Sequence, residues 1–347
     1  MKRFLALLAV AVALGGVVLA IGVRRLLLAP WREYQASSVL LQIPAGSSSL
    51  SILRALEDGG VLRDRRLGTI ALRTYYRGKT LKAGEYRFSG PLSPVDVLRP
   101  IVAGEVVRWK LTVPEGLTAE EIFSLFSDRG FGSEADFDRL FTEPRRFDAV
   151  PAAAPTLEGF LFPETYTLTR PSGAADVVNL MVREFRLRLP ADFQDAAARR
   201  GLSLLEAVTL ASLIEKETSV PDERPLVSAV FHNRLSRGMP LQCDPTTLYA
   251  LKRLGKGRAP LSRADLSVDD PYNSYVRTGL PPGPICSPGL ASLRAAVSPA
   301  ASHALYFVAK GDGAHSFSDD YDGQQKNVAR YRRIQRLSRE ARERGGS

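Results

Sequence analysis

Leu202-Ser203-Leu204-Leu205-Glu206-Ala207-Val208-Thr209-Leu210-Ala211-Ser212-Leu213-Ile214-Glu215-Lys216-Glu217-Thr218 is the stretch around which the rest of the chain is read. Ser203 followed three residues later by Glu206 is a capping-box pattern, so a helix starts here, and Pro221 stands beyond its end. Successive side chains turn by about 100°. Leu204, Val208 and Ala211 therefore share a face with Glu215, while Glu206 and Glu217 point to the opposite side. A carboxylate on an apolar face needs a reason. A carboxyl group kept from water holds its proton to higher pH, which suits a general acid. Glu215 is thus a candidate acid, and Glu217, on the outer face, is expected to stay ionised. An ion pair with Lys or Arg is the competing reason for a carboxylate at position 215.

Outward from this helix the chain is mixed, with long Pro-rich loops between helices and short strands. Its 347 residues allow about two domains. The net charge of +10 invites a nucleic-acid reading, but it sits on the two ends. Lys2, Arg3, Arg24, Arg25 and Arg32 face only Glu33, and the last 22 residues carry eight basic side chains against Glu340 and Glu343. Residues 34–325 balance to zero, so no basic patch is expected on the folded body and no nucleic-acid partner follows. Phe4 to Val23 is an unbroken apolar and Gly run of twenty residues, about 30 Å as a helix, the thickness of a bilayer core. A cleaved signal would have a shorter apolar core and a small-x-small site, and Ala20-Ile21-Gly22 before Arg24-Arg25 is a poor one. An uncleaved single-pass anchor at residues 4–23 is the reading, followed by a juxtamembrane stretch from Leu26 to Ser38. Basic residues on both flanks leave its orientation open.

An internal repeat follows at a spacing of 70 residues. Leu41-Gln42-Ile43-Pro44-Ala45-Gly46 matches Leu111-Thr112-Val113-Pro114-Glu115-Gly116, and Ile52, Asp58 and Gly60 match Ile122, Asp128 and Gly130. Each copy reads as strand, Pro/Gly turn, helix and Gly stop, with a capping box at Thr118 and Glu121 in the second. A recurrent strand–helix unit without a ligand and a small glycan-binding module of the LysM kind both fit the first copy. The second copy reads as the opening of the next domain, with its strand from Val107 to Val113. A further strand is expected across Leu81–Phe88, a loop across residues 143–156, a helix around Val230–Leu235, and a basic final helix over Asn327–Arg344. Asp270 to Gly289 holds too many prolines and glycines for helix or central strand. A long rigid loop of that kind is often functional.

Polar side chains that suit sugar binding cluster in these segments: Glu158, Tyr166, Asn233, Gln242, Asp244, Thr246, Tyr272, Asn273 and Tyr275. Each has a plainer use, Asp244 as an N-cap ahead of Pro245, Asn233 as a helix-end hydrogen bonder, Tyr166 as core. Cys243 and Cys286 could pair in an oxidising compartment or remain two buried thiols. The three histidines have no HExxH or CxxC context, so neither a metal site nor another cofactor is expected.

Leu157-Glu-Gly-Phe-Leu-Phe-Pro-Glu-Thr-Tyr166, Ala211-Ser-Leu-Ile-Glu-Lys-Glu-Thr218, Asn233-Arg-Leu235, Leu241-Gln-Cys-Asp-Pro-Thr246, Tyr272-Asn-Ser-Tyr275 and Gly279-Leu-Pro-Pro-Gly-Pro-Ile285 occur in this order. Together they resemble the endolytic murein transglycosylase (MltG, YceG-like) family over nearly the whole chain. The resemblance implies an α+β protein: cytoplasmic residues 1–3, the anchor at 4–23, a LysM-like module at 39–105, a catalytic domain at 106–335 and a basic tail at 336–347. It implies a lyase that cuts nascent peptidoglycan strands between N-acetylmuramic acid and N-acetylglucosamine, leaving a 1,6-anhydro end and terminating glycan elongation. Glu215 takes the catalytic place, and the nine polar residues above take substrate-binding places, joined by His315, whose Gly313-Ala-His315-Ser-Phe317 setting matches the family. The plasma (inner) membrane, the body on the periplasmic side, glycan strands as substrate and peptidoglycan synthases as candidate partners follow from the same resemblance. No second carboxylate stands out in the sequence, which favours ring closure over hydrolysis. The family's usual Glu-His ahead of the final helix is Gly323-Gln324 here. That departure is the one support for the alternative, a non-catalytic membrane-tethered scaffold that binds peptidoglycan and docks onto synthases.

Overall fold

The computed structural model describes residues 2–30, 38–257 and 260–345. Met1, most of the juxtamembrane stretch (31–37) and the last two residues of the tail lie outside the described residues. The chain forms two compact units: residues 1–111 with 166–172, and 112–165 with 173–345 of the described chain.

The first unit opens with helix α1 (Lys2–Leu28). Within it, Arg3–Leu28 is long and apolar enough to cross a membrane, with a mean hydropathy of 2.8. Its large side chains are exposed from Phe4 to Ile21, as expected of a surface meant for lipid. Only its end, Val23 and Leu27, joins the unit's core. Then come β1 (Val39–Ile43), α2 (Ser49–Asp58), α3 (Arg65–Tyr75), β2 (Gly84–Phe88) and α4 (Pro94–Ala103). β1 and β2 pair antiparallel, Val39 opposite Phe88 and Ile43 opposite Gly84. The helices pack their apolar stripes (Ile52, Leu53, Leu56; Val97, Leu98, Ile101) around Tyr86 and Phe88. Each of these helices starts on a side-chain cap, Ser48, Asp64 and Ser93 in turn, which supplies an acceptor for an amide the helix cannot satisfy. The first copy of the repeat thus has the expected form. The strand expected from Leu81 starts at Gly84, and the one expected from Val107 is β3 (Trp109–Thr112).

β4 (Thr165–Leu168) pairs with β3 and, from Tyr166 on, also belongs to the first unit. The second unit contains α5 (Ala119–Ser127), α6 (Glu134–Phe141), α7 (Ala174–Arg188), α8 (Phe193–Arg199), α9 (Leu204–Glu217), α10 (Arg224–Ser236), α11 (Asp244–Arg253), α12 (Leu290–Val297), the antiparallel hairpin β5 (Tyr306–Ala309) and β6 (His315–Ser318), and α13 (Tyr321–Gly345). The Ser203–Glu206 capping box is formed, and α9 runs as the sequence predicts. The predicted outer face of α9 holds at Glu206, which is exposed, but does not continue along the helix. Ala207 through Ile214 are all buried, because α8, α10, α11 and α12 pack around the helix. A helix surrounded on all sides is a core helix, and its two-sided pattern loses its meaning.

Two boundaries move. Cys243, not Asp244, is the N-cap residue of α11, and the Asp244 carboxylate, in the first turn, accepts the Tyr275 hydroxyl at 2.6 Å. The last helix starts at Tyr321, six residues before Asn327, where Asp320 accepts the Gly323 amide at 2.7 Å. The 270–289 loop is free of helix and strand as expected. Its own side chains tie it to neighbouring segments: Asn273 donates to the Leu266 and Val268 carbonyls and accepts the Thr247 hydroxyl, and Ser274 accepts the Cys243 amide. Cys243 and Cys286 are both buried free thiols.

Candidate active site

The last turn of α9 brings four glutamates into play, all within the second unit. Glu215 has only 7% of its side chain exposed. Its Oε2 accepts the Gly289 amide at 3.0 Å, and Arg224 Nη2 lies 3.7 Å from its Oε1. Gly289 is the N-cap residue of α12, so the carboxylate meets the positive end of a helix, where anions are favoured. The neighbouring Lys216 donates to the Gly116 carbonyl at 3.1 Å. This holds the 113–118 turn against α9, and the turn is also laced to Ser287, by Gly116 N–H to Ser287 O and Ser287 N–H to Leu117 O, both 2.8 Å. The lacing delivers Glu115, a carboxylate the sequence does not single out. Glu115 lies so close over Gly289 that a Cβ there would overlap its carboxylate. Burial, and then the Glu215 charge, push the Glu115 carboxyl up, with Arg224 opposing. The absence of a second carboxylate, on which the sequence-based case for ring closure leaned, is therefore corrected.

Glu217 is a second correction. It is half-buried, not wet, and burial pushes its carboxyl up to about 7. Cys243 donates a hydrogen bond to it, the Asp244 charge adds to the rise, and His315 and Arg234 oppose it. Glu223, just after α9, accepts three hydrogen bonds: from the His315 amide and ring Nδ1, each 2.7 Å, and from the Thr218 hydroxyl at 3.2 Å. These bonds hold its carboxyl below the usual range against the opposing effect of burial. His315 is thereby fixed beside the end of α9.

The other candidates divide by what they hold. Gln242, Asp244, Thr246 and Tyr275 gather with Glu217 and Arg234 at the start of α11. Gln242 is the one described non-glycine residue with positive φ, at 51°, and its Oε1 faces Arg234 Nη1 at 3.4 Å. Left-handed backbone in such a residue is uncommon and clusters at functional sites. Thr246 is buried between the Cys243 carbonyl and Ser274. Asn233 spends both amide hydrogens on the Ser302 and Ala304 carbonyls, and Asn273 does the same for Leu266 and Val268. These two therefore secure loops. Tyr272 is buried under Arg253, whose guanidinium sits 4.7 Å from its ring centre. Tyr166 belongs to the first unit and is core there. Gly323 and Gln324, in place of the family's Glu-His, start α13, and Gln324 bonds Ser318 and Phe307 of the hairpin.

Glu158 is placed away from this group. It accepts the Ala119 amide at 2.9 Å, at the start of α5, and the Tyr249 hydroxyl at 3.2 Å. It lines a cavity of about 230 Å³ with Phe123, Phe141 and Lys252. Burial pushes its carboxyl from 4.5 up to about 7. Between those values the folded chain binds more protons than the unfolded one, so stability falls as pH rises from about 4.5 to about 7 and is level above. Glu158→Gln keeps an acceptor for Ala119 and removes the titration. The variant is expected to lose on the order of 2 kcal/mol of the stability difference between pH 5 and pH 8. Thermal melts of both proteins at the two pH values decide this, and equal pH dependence would sink the account.

A model of the YceG-like family matches residues 41–330. The endolytic murein transglycosylase of Bacillus subtilis (strain 168) is 28% identical over 322 residues, which are 88% of this chain and 88% of the relative. The protein of the same name from Streptococcus pneumoniae (serotype 2, strain D39) is 30% identical over 326 residues, 84% of this chain but 58% of the relative, whose length the chain spans only in part. Among solved structures, a YceG-like protein from Listeria monocytogenes is 31% identical with a TM-score of 0.56, covering 84% of this chain and 99% of that one. With the family model spanning most of its length, the chain belongs to the YceG-like family.

Proposed function

We propose that this protein is an endolytic murein transglycosylase, a lyase that cuts peptidoglycan glycan strands with Glu215 as acid and base. Relatives of that name align over most of the chain. The single observation that carries the chemistry is the Glu215 carboxyl at the end of α9, 7% exposed and held by the Gly289 amide and Arg224. In this reading Glu215 protonates the oxygen between N-acetylmuramic acid and N-acetylglucosamine. The bond to the muramyl C1 breaks and an oxocarbenium-like cation forms. The ionised Glu215 then takes the proton from the C6 hydroxyl as O6 bonds to C1. The proton returns to Glu215, no water is consumed, and the nucleophile is already held in place by the sugar itself. With Glu115 at hand, ring closure rests on the relatives' name and no longer on a missing carboxylate. Gln242, Asp244, Thr246, Tyr275 and His315 surround the same end of α9 and are assigned to substrate contacts. The resemblance implies substrate contacts for Glu158, Tyr166, Asn233, Tyr272 and Asn273 as well, but their partners favour holding the scaffold.

The rest of the reading assigns residues 4–23 to a membrane anchor, residues 1–3 to the cytoplasm and the body to the outer side, in reach of new glycan and of its synthases. Residues 39–105 are read as a LysM-like module, supported by the strand–helix–helix–strand order with paired outer strands. Residues 106–335 carry the catalytic domain, and 336–347 the basic tail. Digestion of purified sacculi by the full chain in detergent, with product masses, tests the activity. Products lighter by one water than reducing-end fragments are expected. Reducing ends would make it a hydrolase, and no products would leave only the scaffold reading.

A further inference from the structure

We propose that Glu115 is a second working carboxylate of the Glu215 site, acting in its ionised form on the cation that develops when the glycosidic bond breaks. The proposal rests on the transglycosylase reading above and adds a residue to it.

The internal repeat supplies the first argument. Pro44-Ala45-Gly46 and Pro114-Glu115-Gly116 make the same turn, with Gly46 at φ 77° and Gly116 at φ 80°. Both lead from a strand into a capped helix. The turn folds equally well with alanine at its middle position, so its geometry does not call for a glutamate. Only the copy in the second unit carries the acid, and that copy faces the end of α9.

The second argument is where the carboxylate goes. Three hydrogen bonds fix the turn: Lys216 to the Gly116 carbonyl, and the two between residues 116–117 and Ser287. Position 289 has no side chain, and the Glu115 carboxylate occupies the space a Cβ would need. The same Gly289 offers its amide to Glu215. Two acids thus converge on one backbone unit. The Glu215 charge adds to the burial that pushes the Glu115 carboxyl up. Arg224, from α10, is the cation that faces both, and Lys216, on α9 beside Glu215, is turned to the Gly116 carbonyl.

The third argument is access. Glu215 is nearly covered, whereas Glu115 is exposed. A sugar whose bridging oxygen reaches Glu215 meets Glu115 on the open side. A fixed negative charge there favours the oxocarbenium-like state more than the neutral substrate, which lowers the barrier instead of tightening binding. Glu115 makes and breaks no covalent bond in this role. It needs only to be ionised, so the acid side of the pH–rate profile reports its titration, displaced upward by its surroundings.

The test uses the full chain in detergent with Glu115→Gln and Glu115→Asp, following strand cleavage on purified sacculi from pH 4 to pH 9. Glu115→Gln is expected to lower kcat by about 100-fold with KM changed by less than about threefold, and to lose the acid limb of the profile. Glu115→Asp keeps the charge one methylene back and is expected to recover about tenfold of that loss with the acid limb retained. Circular dichroism melts matching wild type are expected for both, since the turn tolerates alanine in its other copy. A Gln variant with wild-type rate overturns the proposal. So does one that is slow but keeps the acid limb, because a merely structural role lowers the rate without moving the titration. Products with reducing ends would overturn ring closure while leaving this rate and pH comparison intact.

Discussion

Glu215→Gln is expected to lower strand cleavage by about 10³-fold or more while leaving the protein folded. Removing a positioned acid/base group forfeits both proton transfers assigned to it, and such groups contribute typically about 10²–10⁴-fold. Glutamine is nearly the same size and its carbonyl can still accept the Gly289 amide, so the local packing survives. The Arg224 contact is a long one at 3.7 Å and is the main loss to stability. The necessary companion is Glu217→Gln. Two residues away, Glu217 carries a carboxyl pushed up to about 7, a value that suits a general acid near neutral pH. Its immediate surroundings argue otherwise. It accepts from the Cys243 thiol and sits among Asp244, His315 and Arg234 at the base of α11, whereas Glu215 shares Gly289 with an exposed partner acid. Glu217→Gln is therefore expected to lower cleavage by less than about tenfold. Both variants are to be compared by release of anhydro-ended fragments from sacculi. If Glu215→Gln keeps wild-type release and Glu217→Gln abolishes it, the catalytic assignment moves two residues along the chain.

How far the sequence reaches is shown by these same residues. The start of α9 is legible because a capping box is local: Ser203 and Glu206 satisfy each other's orphan groups within one turn. Glu215 stands out because of its helical face and the motif around it. The burial of Glu217 is not legible, since it is imposed by Cys243, Arg234 and His315, which lie 17 to 98 residues further on. A helical wheel assumes one wet side, and α9 has none along its middle, from Ala207 to Ile214. Glu115 leaves a trace that sequence reading passes over, namely that one copy of a repeated turn has alanine and the other an acid. Residue type also misleads at Asn233 and Asn273. Both suit a sugar, yet their amides go to backbone carbonyls of strandless segments. Buried loops cannot pair their own carbonyls in a ladder, so side chains must do it. The long 270–289 loop is predictable from its prolines, but which side chains tie it down is not.

Arg234 shows the same logic at its most costly, and Arg234→Ala is expected to destabilise the protein by about 3–5 kcal/mol. The side chain is 7% exposed. Its Nε donates to the Leu305 carbonyl at 2.7 Å, and its Nη1 to the Pro240 and Leu241 carbonyls at 3.1 and 2.9 Å. Its guanidinium lies 5.1 Å from the Tyr306 ring centre. One side chain thus clamps the start of the β5 hairpin to the end of α10 and to the segment that carries Gln242 in its left-handed conformation. Alanine leaves three carbonyls in the interior without that donor, and each unmet buried group costs about 1–3 kcal/mol. Arg234→Lys separates charge from geometry. An ammonium on a flexible stem can reach one or two of the carbonyls, but it has no fork to hold all three and no planar face for Tyr306. It is expected to lose about half as much. Thermal melts should place Arg234→Ala roughly 6–15 °C below wild type, for a unit of this size, and Arg234→Lys between them. Activity should fall with both at temperatures where both are folded, because Gln242 loses the guanidinium its side chain faces. An alanine variant melting within about 2 °C of wild type would show that the clamp carries no such weight, and that the left-handed turn at Gln242 is held by its amide bond to the Ser274 carbonyl alone.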